Sequence, residues 1–217
     1  MMRGRIPMIL LATALVGGCA EAAPDDAADS TPSRATQPVA TPSTSAKKDE
    51  SKKIDPGETQ SAWWTWAASA PTGRNPVEDT DGAHCAVGQP NDLWFLAGTF
   101  GGTVRRTCTV PPGRDLVAPI VNLHGSKTDC ADFMSTASGT LTVDGKASSV
   151  QRWSATPITV TGVAGNPVTR AEGSVDAYGC GLWGVVRSLP PGSHQVRIRG
   201  GSGDFKLAVD YELTVQG

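Results

Sequence analysis

The sequence predicts a mainly β protein: an antiparallel two-sheet β-sandwich of jelly-roll type with one N-terminal helix, preceded by a leader and a polar linker. Three observations predict it. Glycine and proline punctuate the chain, 25 and 16 of them in 217 residues, a density that suits short strands joined by turns. From Leu93 onward the apolar residues form short runs or alternate with polar ones, the pattern of buried or half-buried strands. Pro-Pro-Gly occurs twice, at 111–113 and 190–192, each time between two such runs. With that much glycine and proline and aromatics at 6%, a helical bundle and a membrane-embedded transporter fit poorly, and the formal charge is −2. No basic footprint exists for a nucleic-acid partner.

The first residues read as an export signal. Arg3 and Arg5 form a positive start, and Ile6 to Leu15 an apolar run that falls short of the roughly 20 residues a spanning helix needs. Leu15-Val16-Gly17-Gly18-Cys19 resembles the bacterial lipobox. That resemblance makes residues 1–18 a lipoprotein signal peptide and Cys19 the lipidated N-terminus. The membrane is then a partner through the lipid on Cys19, and the protein sits, exported, on the outer face of the bacterial cytoplasmic membrane. Residues 19–57 read as a disordered linker: Val39 and Ile54 are the only aliphatic side chains beyond alanine after Cys19, and five prolines interrupt any helix. As a coil it would average about 35 Å end to end.

Residues 58–217 form the expected head, one domain. The spacing of Trp63, Trp66, Ala67 and Ala70 predicts a helix over Glu58 to Ala70, stopped by Pro71. Trp63 and Trp66 share its packing face, and Trp64 points elsewhere, toward solvent. Leu93 to Thr99 is a continuous apolar run, read as a central strand. Thr103 to Val110 and Asp115 to Leu123 flank the first Pro-Pro-Gly turn. Thr140 to Asp144, Ser148 to Ser154 and Pro157 to Thr161 read as strands, with Asp144-Gly145 a type I′ hairpin turn. Leu182 to Leu189 and His194 to Arg199 flank the second Pro-Pro-Gly turn, and Phe205 to Val215 closes the chain with Phe205, Leu207, Val209 and Tyr211 on one face.

With Cys19 lipidated, Cys85, Cys108, Cys130 and Cys180 remain. An even count in an exported head reads as two disulfides, and four cysteines allow three pairings. Their spacings contain no C-x-x-C pair, so zinc is disfavoured.

Several blocks carry a resemblance: Trp63-Trp64-Thr65-Trp66, Asn75-Pro76-Val77-Glu78-Asp79, Cys85 with Gly88-Gln89, Trp94-Phe95-Leu96-Ala97-Gly98, and Arg106-Thr107-Cys108-Thr109-Val110-Pro111. Together they resemble a group of uncharacterised exported bacterial lipoproteins of actinobacterial type, with no activity assigned. The later Leu189-Pro190-Pro191-Gly192-Ser193-His194 fits the same group. The resemblance covers most of residues 62–215 and departs between Asn122 and Gly181. It implies a β-rich fold and a Cys85–Cys108 pair, which leaves Cys130 with Cys180.

No G-x-S-x-G occurs, Leu123-His124-Gly125-Ser126 lacks the elbow context, and His84, His124 and His194 are isolated in sequence. Glu78, Asp79 and Asp81, with Asp92, Asp129 and Asp132, offer hard oxygen ligands, yet the calcium-loop pattern is missing; local backbone capping is the competing role for Asp79. No metal, no cofactor and no catalytic residue is assigned. The expected function is a lipid-anchored binding or interaction module of the envelope. Its expected recognition loop carries Asp79, Asp81, His84 and Gln89, and its partner is a glycan, a peptide or an envelope protein. The alternative is an envelope hydrolase with a His/carboxylate site assembled by the fold around Asp79, His84 and His124.

Overall fold

A computed structural model describes residues 54–217. The expectations placed on the signal peptide, on Cys19 and on the linker up to residue 53 lie outside the described residues. The first helix, α1, spans Pro56–Ala67 and opens inside what reads as linker. The reason is local: Asp55 caps it, accepting from the Glu58 N–H at 2.9 Å, and Pro56 sits at its first positions, where the missing N–H costs nothing. Asn75 ends it, its amide donating to the carbonyls of Ala67 at 2.7 Å and Ala70 at 2.9 Å.

Nine strands follow: β1 Leu93–Phe95, β2 Gly102–Val110, β3 Asp115–Gly125, β4 Ser138–Val143, β5 Lys146–Ser148, β6 Gln151–Gly162, β7 Gly173–Val186, β8 Gly192–Ser202 and β9 Phe205–Val215. They form two packed sheets, ordered β1-β3-β7-β6 and β2-β9-β8-β4-β5, so the two-sheet sandwich stands. The sheets are mixed, because β1–β3 and β2–β9 are parallel pairs. Parallel neighbours need a crossover, not a hairpin, and the Pro-Pro-Gly turns help supply it. The first carries the chain from β2 in one sheet to β3 in the other, and the second from β7 to β8.

A second helix, α2 Lys127–Thr136, was not expected from the sequence. Ser126 begins it with a capping box: its hydroxyl accepts from the Asp129 N–H at 3.1 Å, and Asp129 accepts from the Ser126 N–H at 2.8 Å. The run Leu93 to Thr99 forms only a three-residue edge strand. It is apolar because residues 93–98 are buried, several of them under α1. The two strands read at 148–161 are largely one, β6, bent at a bulge between Trp153 and Thr156. Asp144 and Gly145 both have positive φ, 49° and 76°, as a type I′ turn requires.

Two cores result. Leu116, Ile120, Leu141, Ile198, Val209 and Leu213 fill the space between the sheets. Trp63, Trp66, Phe95, Val160 and Trp183 fill the space between α1 and the β1-β3-β7-β6 sheet. β3 serves both, which explains its unbroken buried run Leu116 to Val121. Trp64, expected to face solvent, is 7% exposed and packs edge-on against Trp63 and His124, with ring centroids 4.9 and 4.5 Å apart. The pairings are Cys85–Cys108 and Cys130–Cys180. The first ties the loop after α1 to β2, and the second ties α2 to β7.

Candidate functional site

The loop of residues 75–89 is built from side chains that hold its own backbone. Asp79 is buried. Its Oδ1 accepts from the N–H groups of Asp81 at 3.1 Å and Gly82 at 2.9 Å, and its Oδ2 from that of His84 at 2.9 Å. Burial alone would raise its pKa, but these N–H donors outweigh it and hold the carboxyl below the ordinary value of 3.8. Gly82 has φ +101°, and a Cβ there would lie 2.2 Å from the Thr107 carbonyl oxygen, so no other residue fits this approach to β2. Gln89 donates to the carbonyls of Cys85 and Phe95 at 2.8 and 2.9 Å and accepts from the Phe95 N–H at 2.8 Å, fastening the loop to β1.

The four residues singled out by sequence therefore share one loop, with different engagements. Asp79 and Gln89 serve the backbone. Asp81 is exposed and accepts from the Ala83 N–H at 3.0 Å, and His84 is half-buried. Asp79, Asp81 and His84 line a cavity of about 220 Å³. His124 lines different cavities from Asp79 and His84. Ser126, beside it, is the α2 cap, its hydroxyl donating to Asp129 at 2.7 Å. Among the described residues, no cluster of three or more His, Cys, Asp or Glu side chains is placed to hold a metal. No described helix is long and apolar enough to cross a membrane.

Behind the loop lies Arg106, on β2 and 1% exposed. Its Nε donates to the Asp79 carbonyl at 2.7 Å and one terminal nitrogen to that of Val77 at 3.1 Å. The other terminal nitrogen donates to the carbonyls of Ala97 and Gly98, each at 2.9 Å, and to the Tyr211 hydroxyl at 2.8 Å. One guanidinium thus joins the loop, the segment after β1, and β9. Sequence reasoning missed it, although a signal existed. Arg106 falls on the inward phase of β2, between Val104 and Cys108, where every other residue is apolar.

The second region is a cavity of about 400 Å³ at the end of the sandwich where β3 finishes and β9 begins. Trp63 and Trp64 of α1, Phe100 of the β1–β2 connection, Phe133 of α2 and Phe205 of β9 supply aromatic walls. Asn122 and His124 of β3 supply polar ones. Phe100 is 52% exposed and marks the mouth. No Lys, Arg, Asp or Glu lines it. Burial lowers the His124 pKa from its ordinary 6.5, against a backbone hydrogen bond at Val168 that raises it, and so favours the neutral imidazole. Trp64 Nε1 and Asn122 Nδ2 are buried without a hydrogen-bond partner among the described residues.

No family model and no curated protein matches the chain. Among solved structures, the solution structure of amebosin aligns with 52% of this chain and 96% of its own, at 15% identity and a TM-score of 0.23. A likeness that slight carries no argument about fold or function.

Proposed function

We propose that the chain is a lipid-anchored, extracytoplasmic binding module of the bacterial envelope, and that its ligand enters the aromatic cavity, not the 75–89 loop. One observation carries this reading. The cavity, at about 400 Å³, is of small-molecule size and mainly apolar, with a few polar groups on its wall. Packed interiors seldom leave such space. The lipobox at Cys19 and the polar linker behind it support a tethered head. The hydrolase alternative has less to rest on: the Asp79 carboxylate already accepts three N–H groups, and the hydroxyl nearest His124 in sequence caps a helix.

The test uses N-phenyl-1-naphthylamine, an uncharged dye that brightens on leaving water. The protein is the full 217-residue chain carrying Cys19→Ser, which removes the attachment point for the lipid. Saturable brightening is expected, weakened at least about tenfold by Thr99→Trp, which places an indole in the cavity from its wall. Absent saturation, or binding indifferent to Thr99→Trp in a variant that melts like the parent, would overturn the assignment.

A further inference from the structure

We infer that the ligand of the aromatic cavity is an amphiphile with one acidic head: its apolar body fills the cavity, and its anionic head meets Arg170 in a polar vestibule at the mouth. The inference rests on the cavity being the binding site and goes further by naming the ligand's chemistry.

The vestibule is a second cavity, of about 560 Å³, that shares walls with the first. Phe100, half exposed, lines both. In two segments, neighbouring residues divide between them. Val77 lines the aromatic cavity and Glu78 the vestibule; Val168 lines the aromatic cavity and Pro167 the vestibule. The walls thus pass from one space to the other within a single peptide step at two places. A ligand that leaves the aromatic cavity alongside Phe100 enters the vestibule.

Charge divides the same way. No Lys, Arg, Asp or Glu lines the aromatic cavity, and an unpaired ion in an apolar site is strongly disfavoured, so the part of the ligand inside it is uncharged. The vestibule holds both signs, Glu78 and Arg170, in unequal states. The Glu78 carboxylate already accepts from the Gly73 N–H at 3.1 Å and the Thr72 hydroxyl at 3.4 Å. Arg170 is exposed and has neither hydrogen bond nor ion pair among the described residues. A guanidinium offers five N–H donors in a fixed fork and no acceptor, and its complement is an anion with paired oxygens. Glu78 pulls the other way and would favour an ammonium head, but its oxygens are partly spent; the test includes that head.

The loop that presents Arg170 is set before any ligand arrives. Asn166 is buried and accepts from the N–H groups of Val168 at 3.1 Å and Thr169 at 2.8 Å. Its amide donates to the carbonyls of Val163 at 2.7 Å and Ala171 at 2.9 Å. These bonds hold the chain on both sides of Arg170, whose φ is +56°, a left-handed value uncommon outside glycine. Such backbone persists where its surroundings impose it, and it gathers at ligand sites. With the backbone already fixed, only the side chain remains to be ordered when an anion binds, which keeps the cost of binding low.

Equilibrium dialysis at neutral pH of the full chain carrying Cys19→Ser tests this with three probes of one body and one tether: 4-(2-naphthyl)butanoate, 4-(2-naphthyl)butan-1-ol and 4-(2-naphthyl)butylamine. The carboxylate should bind roughly three- to fivefold more tightly than the alcohol or the amine, the effect of one exposed ion pair. Arg170→Gln should bring the carboxylate down to the alcohol and leave the alcohol unchanged. If the alcohol binds as tightly as the carboxylate, if the amine binds best, or if the carboxylate keeps its margin in Arg170→Gln, the inference falls while the cavity survives as a site. The same holds if none of the three binds although N-phenyl-1-naphthylamine does. If that dye does not bind either, both fall. The ranking in the parent chain stands without the variant, so a variant that misfolds does not protect the inference.

Discussion

Around Arg106 and around Trp64 the same kind of group, an N–H donor kept from water, meets opposite circumstances. Arg106 places all three guanidinium nitrogens on acceptors between 2.7 and 3.1 Å away, four of them backbone carbonyls. Trp64 Nε1 and Asn122 Nδ2 meet no acceptor. In the first region polar groups are matched by segments far apart in the chain, and the match holds the structure. In the second they are shut away without a match, on residues that line an apolar cavity. A matched donor is costly to remove, because its acceptors are left buried and alone; an unmatched one is not. Stability measurements can therefore separate the scaffold from the site.

The largest effect is expected at Arg106. Arg106→Met keeps an unbranched stem, though a shorter one, and removes every donor, leaving the acceptors of Val77, Asp79, Ala97, Gly98 and Tyr211 without it. A loss of about 3–5 kcal/mol is expected, the range for breaking a buried charged network. Arg106→Lys should restore little of it, since an ammonium cannot reproduce the planar fork. Urea unfolding gives the value. A loss within about 0.5 kcal/mol would mean that the network holds nothing and would dissolve the contrast.

Asp79 comes next. Replacing it with alanine strips the N–H groups of Asp81, Gly82 and His84 of their acceptor, at about 2 kcal/mol by analogy with the loss of a helix cap. The pH dependence identifies the carboxylate as the agent. Its native pKa is lowered from 3.8, so the folded state binds this proton more weakly than the unfolded state does. The stabilisation is complete above the unfolded value and is lost as pH falls through the lowered native one. The gap between wild type and Asp79→Ala should be constant near neutrality and close below pH 3.8. A gap independent of pH down to the acid transition would assign the role to something other than the charge.

How much of this was legible in the sequence follows the same division. β9 could be read to the residue because Phe205 to Val215 alternates strictly, and alternation is a local property. The Pro-Pro-Gly turns were legible as turns, but nothing in a turn says whether the next strand returns to the same sheet; hence the unexpected parallel pairs. The capping box of α2 was visible as Ser126-x-x-Asp129, with Cys130, Phe133, Met134 and Ala137 at helical spacing behind it. A short helix inside a β-rich stretch was passed over. Trp64 was misplaced because a single helix face was assumed, whereas the sheet under α1 also reaches Trp64 through His124 near the end of β3. The loop of Asp79 and Gln89 was legible as polar and irregular, and its inward use of those side chains was not. The cavity was beyond reach altogether: its walls come from α1, β3, α2, β9 and three connecting segments, and only folding brings them together.

The smallest expected effect on stability completes the contrast and is its sharpest test. Asn122→Leu and Trp64→Phe each remove a donor that has no partner in the folded chain. Leucine repeats the branched four-atom skeleton of asparagine, and phenylalanine keeps an aromatic ring against Trp63 and His124. The buried polar group disappears along with its desolvation penalty, and no acceptor is orphaned. For Asn122→Leu a change between zero and about 1 kcal/mol in the stabilising direction is expected. Trp64→Phe loses some packing area, which offsets part of the same gain, so its net change should stay within about 1 kcal/mol of zero. Both variants are compared with wild type by urea unfolding at pH 7, with no ligand added. A loss of more than about 2 kcal/mol from Asn122→Leu would show that its amide is matched after all, through a bond within the fold. The cavity would then join the Arg106 network as scaffold, and the two regions would cease to differ.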